Sequence, residues 1–566
     1  MDNAPVSQAI RGIALIEKTK SVLLRLRHTL FTFFSILVFL PGSKAQEPGQ
    51  NPKIIIGAVV DQMRWDYLYR FQDRFTDGGF KRLLREGFAC ENTQINYSLT
   101  ATGPGHTCVY TGSVPAIHGI VGNTWYDRSI RKEVNCVEDS TVSSVGTDQA
   151  STSRSPHHLL TTTIGDELKL SNNFKSKVIG ISLKDRGAIL PGGHLSDGSY
   201  WYHNGTGNFI TSTYYTSVLP QWLQAFNAQN HAGRYLKNNW ETLYPIETYV
   251  QSTEDNKPYE RTLIGKDEPV FPYDYSDRLD DYGAIRTNPY GNSILFDLAK
   301  AAIDGENLGT DEFPDLLAIS FSAPDGLGHR VGTNAIEIED MYLRLDQDFA
   351  AFFDYLDERF GRDGYLFFIT ADHGTSQSSG FLKENQLPTG VFSFKFLHEI
   401  NEFVKEKYGV NHVIESAQNA ELYLNWEEIH AAGSNVDEDQ LMTDIVRILR
   451  EQDGIANAWP TRKLGTAPWA EPMKARFING YNAQRGGDVV IVPQPGWQAS
   501  EKGTDHGLWY PFDSHIPLVW MGWNVTQGQT HRLIGMTDIA PTLAALLKIQ
   551  MPSGSVGHPI LEITDQ

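Results

Sequence analysis

Three aspartates and three histidines lie at the ends of apolar runs, where side chains able to hold metal ions would gather. Asp61 directly follows Lys53–Val60 (KIIIGAVV). Asp325 follows Asp315–Phe321 (DLLAISF) by a short loop, in SAPDGLGHR, with His329 four residues on. Asp372 and His373 follow Tyr365–Thr370 (YLFFIT) in ADHG, and His506 sits in DHG ahead of the apolar run Ile516–Met521. An Asp after a strand is often a helix cap and a lone His is often a surface residue, so each is weak by itself. Together they form a ligand set. Zinc takes imidazole nitrogen and carboxylate oxygen, and catalytic sites keep an open position. Six ligands divide into two sets of three. Two metals about 3.5–4 Å apart can clamp the entering and leaving oxygens of an in-line displacement. A donor set without thiolate favours zinc ahead of manganese or iron.

A hydroxyl stands close by in sequence. Residues 100–106 read TATGPGH. Thr102, followed by Gly103, Pro104 and Gly105 ahead of an expected helix, would place its hydroxyl and free backbone N–H groups at a helix N-terminus, a natural phosphate seat. A metal-bound Thr hydroxyl loses its proton more readily and becomes a nucleophile. The plainer reading of Thr102 is a helix cap. Thr100 and Ser98 are rival hydroxyls.

These groups need a scaffold. Apolar, β-branched runs at Lys53–Val60, Lys177–Leu183, Asp315–Phe321, Tyr365–Thr370, Asp488–Pro493 and Ile516–Met521 read as buried strands. Helical patterns lie among them at Gly78–Glu86, Asn292–Ile303, Ala335–Arg359 and Asp437–Arg450. This alternation predicts an α/β fold, a central mainly parallel sheet flanked by helices. Residues 187–290 and 394–477 break the pattern and are expected as two insertions. In open parallel sheets ligands bind beyond the carboxyl ends of the strands, where the Asp and His residues fall.

Composition limits the class. With 566 residues, 40 % apolar and 20 % charged, the chain fits a large globular enzyme. No run of 18 apolar residues occurs, so neither a transmembrane helix nor a stable membrane anchor is expected. Lys18, Lys20, Arg25 and Arg27 precede the apolar run Leu30–Leu40, and Ser43 and Ala45 follow, so residues 1–45 read as an export signal cleaved before Gln46. The expected location is periplasmic or secreted, with residues 46–566 as the catalytic domain. Cleavage would remove six basic and two acidic side chains and take the net charge from −20 to −24. Such a surface disfavours nucleic acid, and a small anionic substrate needs a locally positive site. Cys90, Cys108 and Cys136 allow at most one disulfide. A monomer is expected.

The motifs resemble the alkaline phosphatase superfamily: Asp61 after a strand, Thr102-x-x-x-His106, HGIVGN ending in Asn123, DGLGH at 325–329, ADHG at 371–374 and DHG at 505–507. MTDIAPTLAALLKI at 536–549 is similar to its C-terminal helix, and the likeness runs from about residue 53 to 562. Within the superfamily the chain looks like the PafA-type bacterial alkaline phosphatases. The resemblance implies two Zn2+ ions, one held by Asp325, His329 and His506, the other by Asp61, Asp372 and His373 with Thr102 bridging toward it. It implies that Asn123 donates to a phosphoryl oxygen and that His106 supports the site without ligating. Lys184 and Arg186, in SLKDRGA, match a Lys-x-Arg pair of the PafA type. On an extended segment residues two apart face one side, so both can face a phosphate while Asp185 faces away. Two cations on the non-bridging oxygens favour the extra charge of a monoester over a diester. The expectation is hydrolysis of small phosphate monoesters through a phospho-threonine. The alternatives are a phosphodiesterase or nucleotide pyrophosphatase of the same superfamily, and a non-catalytic exported binding protein. A sulfatase is disfavoured because C-x-P-x-R is absent.

Overall fold

The computed structural model describes residues 51–149, 151–263, 266–432 and 436–565. The expected export signal, residues 1–45, lies outside them.

The apolar run after Lys53 becomes β1 (Ile54–Val60), all seven residues buried. Its neighbours on either side are parallel, so no edge of it meets water. The other strands of its sheet are β2 (Phe88–Cys90), β3 (Ser144–Val145), β4 (Val178–Ser182), β5 (Gly198–His203), β6 (Asn208–Ser212), β7 (Asp315–Phe321), β8 (Tyr365–Thr370), β9 (Leu518–Gly522) and β10 (Gly528–Thr530). These ten lie in the order β10-β2-β9-β8-β1-β7-β4-β5-β6-β3. The central five, β8-β1-β7-β4-β5, are parallel. Flanking strands β9 and β6 run antiparallel to their inner neighbours.

Helices cover this sheet: α1 (Thr102–Thr111), α2 (Asp185–Gly192), α3 (Tyr290–Gly305), α4 (Ala323–Val331), α5 (Ile336–Phe360) and α6 (Ile539–Leu547). α3 packs on α5 and on β7, while α1 packs on α2 and α6. The aromatic stack of Phe296, Phe321, Phe349 and Phe367 ties α3, β7, α5 and β8 into one core. The C-terminal helix is shorter than its sequence pattern: Met536–Asp538 forms a 3-10 turn, and the Asp538 carboxylate accepts from Gly535 N–H at 2.9 Å and His558 N–H at 2.9 Å.

Three expectations change. Val489–Pro493 is buried but lies in a separate four-stranded antiparallel sheet with Ile414–Gln418, Glu421–Leu424 and Ile455–Pro460. An apolar run reports burial, not which sheet supplies the partner. The run at 516–521 is divided: Ile516 pairs with Thr93 in a separate sheet, and from Leu518 the chain forms β9, antiparallel to β8. Within 187–290, β5 and β6 belong to the central sheet, and the excursion from the sheet begins after Ser212.

All three cysteines are free and buried. Among the described residues no helix is long and apolar enough to cross a membrane.

Candidate active site

Four adjacent parallel strands, β8, β1, β7 and β4, end at the same edge of the sheet. Each is followed there by site residues: Asp372 and His373, Asp61, Asp325, and Lys184. Because β9 runs the other way, the loop before it reaches that edge too, and brings His506. This is how positions 61 and 506 meet.

Asp61, Asp372 and His373 are fully buried. His373 Nε2 lies 3.5 Å from Asp61 Oδ1 and 3.6 Å from Asp372 Oδ2. Asp61 Oδ1 and His373 Nε2 have no hydrogen-bond partner, and Asp372 Oδ2 has only His106 Nδ1, at 3.2 Å. Burying such groups unpaired is costly, and a divalent cation would satisfy all three at once. The His373 ring is set for this: Nδ1 bonds the Gly374 carbonyl at 2.9 Å, turning Nε2 inward.

A second group surrounds Asp325. Its Oδ1 is 3.2 Å from His329 Nε2 and 3.5 Å from His506 Nε2. Again the far nitrogens are anchored, His329 Nδ1 on Thr504 O at 2.9 Å and His506 Nδ1 on Thr100 O at 2.7 Å. Asp505, more exposed, stands with His329 and His506 in a further cluster of ligand atoms. The two groups adjoin, for the His373 and His506 rings stack with centroids 3.6 Å apart.

The carboxylates feel one another. Burial, with Asp325 and Asp372 beside it, pushes the Asp61 carboxyl up to about 7. Burial acts the same way on Asp325, but Lys184 and His329 outweigh it and hold that carboxyl well below the usual range. Burial drives His373 down to about 3. At His506 burial is overcome by Asp325, and the imidazole rises to about 9.

Thr102 is the first residue of α1, after the N-cap Ala101, which is extended and offers no side-chain cap. Lys184 Nζ lies 3.4 Å from Thr102 Oγ1, 2.6 Å from Asp61 Oδ2 and 2.5 Å from Asp325 Oδ2. Gly103 N–H donates to Asn123 Oδ1 at 2.8 Å, which engages the amide oxygen and leaves the NH2 as the group able to donate elsewhere. The rival hydroxyl of Thr100 donates to Leu508 O at 2.9 Å and accepts from Gly507 N–H. Ser98 lines a different cavity with Phe477 and Trp509. His106 bonds Thr102 O at 2.9 Å and Ser320 Oγ at 2.8 Å, with Nδ1 3.2 Å from Asp372 Oδ2.

Lys184 and Arg186 do share a cavity, but by a route the sequence pattern did not anticipate. Lys184 is the extended N-cap of α2 and Arg186 is in its first turn. Asp185 lines the same cavity instead of facing away, and pairs with Arg154 at 2.6 Å.

Sequence reasoning missed other neighbours. Gln62 donates from Nε2 to Asp325 Oδ1 at 2.8 Å and from its backbone to Asp372 Oδ1 at 3.2 Å, linking both ligand groups. Its place next to Asp61 was the available signal. Arg286 opens into the Lys184–Arg186 cavity from a distant turn. Asp513 accepts from Leu508 N–H at 2.8 Å and so holds the loop of His506. Neither carries a local pattern.

The sheet, the ligand edge and the hydroxyl at a helix start define a class. The sequence profile of the Type I phosphodiesterase / nucleotide pyrophosphatase family matches residues 55–531, and the chain belongs to that family. The superfamily resemblance therefore holds. More particularly, the chain is 44 % identical to alkaline phosphatase PafA of Elizabethkingia meningoseptica, covering 92 % of this chain and 96 % of that protein. It is 46 % identical to alkaline phosphatase PhoV of Synechococcus elongatus, covering 91 % and 93 %. A Myroides odoratus protein named calcium-transporting ATPase is 43 % identical, over 94 % and 98 %. The crystal structure of PafA superposes with a TM-score of 0.89, covering 92 % of this chain and all of that one.

Proposed function

We propose that this protein hydrolyses phosphate monoesters to an alcohol and inorganic phosphate through a covalent phospho-threonine at Thr102. The observation that carries the reading is the position of Lys184, whose ammonium reaches Asp61, Asp325 and the Thr102 hydroxyl together. Two relatives named alkaline phosphatase, similar over nearly the whole chain, support it.

Asp61, Asp372 and His373 would hold one zinc, with Thr102 toward it, and Asp325, His329 and His506 the other. When bound, the two ions supply Lewis acidity to the entering and leaving oxygens and ease deprotonation of Thr102 and of water. The chain's own residues do the rest. Lys184, Arg186 and the Asn123 amide orient the phosphoryl oxygens and neutralise charge that grows in the transition state. Thr102 Oγ1 attacks phosphorus in line and the alcohol departs. Water then attacks the phospho-threonine and regenerates the hydroxyl. His106 and Gln62 keep Asp372 and Asp325 in place. We further propose export to the periplasm or medium, on the pattern of residues 1–45. Mass spectrometry of the exported protein should then find Gln46 as its first residue.

One observation favours a second reading, diester hydrolysis. An apolar recess of about 210 Å3, with Phe392, Phe394, Ile455, Trp497 and Leu508, adjoins His506 and could seat a second ester group. One experiment separates the two readings: kcat/KM of the zinc-loaded enzyme for an aryl phosphate and its methyl diester, with Lys184→Ala/Arg186→Ala alongside. The monoesterase reading expects a strong monoester preference that falls by about 100-fold or more in the double variant, two charge-assisted contacts being lost. A diester preference, or selectivity unchanged by the substitutions, would overturn it.

A further inference from the structure

The cavity containing Lys184 and Arg186 is about 560 Å3. Of the phosphoryl-binding candidates only Lys184 and Arg186 line it; Thr102, Asn123 and the Asp and His groups do not, so it extends beside the phosphoryl position and leaves room for a second group. Four cations line it, Arg154, Lys184, Arg186 and Arg286, against one carboxylate, Asp185. In a chain of net charge −20 this is a marked local reversal.

Arg154 pairs with Asp185 at 2.6 Å and Lys184 with Asp61 and Asp325, while Arg186 lies 3.8 Å from Asp185 and leaves its buried Nε without a hydrogen-bond partner. Arg286 differs. Among the described residues it has no carboxylate within 4.0 Å and no side-chain hydrogen bond. Burial and the nearby Arg186 lower its pKa, so its charge is unfavourably placed in the free protein. Its turn, Tyr282–Thr287, is nevertheless held firmly. The Tyr202 hydroxyl donates to Tyr282 O at 2.9 Å, and the carbonyl of Arg286 rests on Gly326, where any side chain would collide with it. A half-buried guanidinium beside another cation is stabilised by an anion supplied from outside. The far wall, with Asn135, Thr152, His203 and Asn204, is polar.

We propose that this cavity is a subsite for a second anionic group of the substrate, a phosphate or carboxylate a few atoms from the scissile ester, bound by Arg286. The proposal rests on the monoesterase reading. It makes Arg286 a specificity-determining residue: monoesters with a second anion are the better substrates.

The test is a matched pair, 3-hydroxypropyl phosphate and propane-1,3-diyl bisphosphate, with initial rates on the zinc-loaded full-length enzyme. After correction for the bisphosphate's two equivalent esters, the wild type should favour it by about ten-fold or more in kcat/KM, as one charge-assisted contact allows. Arg286→Met should bring that ratio to about one while changing the hydroxypropyl ester by less than about three-fold, and Arg286→Lys should fall between them. A wild-type ratio near one, or a ratio that survives in Arg286→Met, overturns the proposal. An equal loss on both substrates also overturns it, by assigning Arg286 to the scissile phosphoryl group. Calorimetric binding of the two compounds to zinc-loaded Thr102→Ala, with and without Arg286→Met, reads the same ratio without turnover. Failure of monoester hydrolysis and failure of the subsite therefore give different results.

Discussion

The Thr102 hydroxyl is spared structural work. Helix α1 is entered from Ala101 in extended conformation without a side-chain cap, and the neighbouring hydroxyls of Thr100 and Thr107 are committed to backbone carbonyls. A buried hydroxyl beside an ammonium that also holds two carboxylates is suited to attack rather than to packing. Thr102→Ala should lower kcat/KM by about a thousand-fold or more, while Thr102→Ser keeps a measurable part of it. Acid quench with labelled substrate should trap phosphate on Thr102 and nowhere else. Residual activity of Thr102→Ala within ten-fold of wild type would move the nucleophile to another group.

At the scale of elements, the site depends on how closely α1 approaches the end of β8. Gly105 makes that approach possible, because a Cβ there would meet the backbone of Asp372. Gly105→Ala should therefore push the helix of Thr102, the proposed nucleophile, away from Asp372, a proposed ligand. It should cost about 1–3 kcal/mol of stability by overpacking and lower kcat/KM through misplacement of Thr102. Thermal unfolding alongside kinetics would check this, and an unchanged variant would mean that the helix can shift freely. Asn123 is held from the opposite side. The hairpin Ile414–Leu424 packs against the adjoining strand, with Asn419 donating to Thr124 O at 2.7 Å and the Tyr126 hydroxyl to Glu415 at 2.8 Å. The second excursion thus braces a residue expected to contact substrate.

Across the whole molecule, the long excursion after Ser212 is tied back to α5 by that helix's buried Glu337, beside a second buried acid, Glu260, of the excursion itself. Glu260 accepts from Lys257 N–H at 2.9 Å, and Glu337, in the first turn of α5, accepts from the Tyr273 hydroxyl. Burial, with Glu337 nearby, raises the Glu260 carboxyl from 4.5 to about 9. A carboxyl raised on folding holds its proton in the native state, so its contribution to stability declines as pH climbs from 4.5 through 9. Glu260→Gln should leave thermal stability near pH 5 almost unchanged and raise it increasingly toward pH 9. The limit is about 1.4 kcal/mol per pH unit. A gain independent of pH would place the effect elsewhere. Metal binding acts at the same scale, since ions bound only by the folded chain stabilise it. Chelation should abolish activity and lower the unfolding temperature, and Zn2+ should restore both. Elemental analysis of the reloaded protein should find two zincs per chain.

Much of the candidate site was legible because its proposed ligands sit at or soon after the ends of strands that announce themselves. Asp61, Asp325, Asp372 and His373 each follow a run apolar enough to be read as buried, and parallel strands place such residues at one edge. His506 and Thr102 came from motif spacing. Other features carried no local signal. Burial in the run 489–493 is apparent from its residues, but its assignment to a small antiparallel sheet depends on pairing with strands up to 69 positions away, as Val490 lies opposite Glu421. Lys184 and Arg186 were recognised as a pair, yet the side chains reach their cavity from a helix start, because β4 ends at Ser182 and the chain turns there. Gln62 gains its role only when β7 and β8 flank β1, and Arg286 only when a turn far along the chain closes over Gly326. The chain by itself determined its strands and the chemical types of its ligands, since these are local properties of residue and spacing. Which cations face the substrate was decided by tertiary structure, since charges from distant segments acquire a common target only after the sheet has assembled.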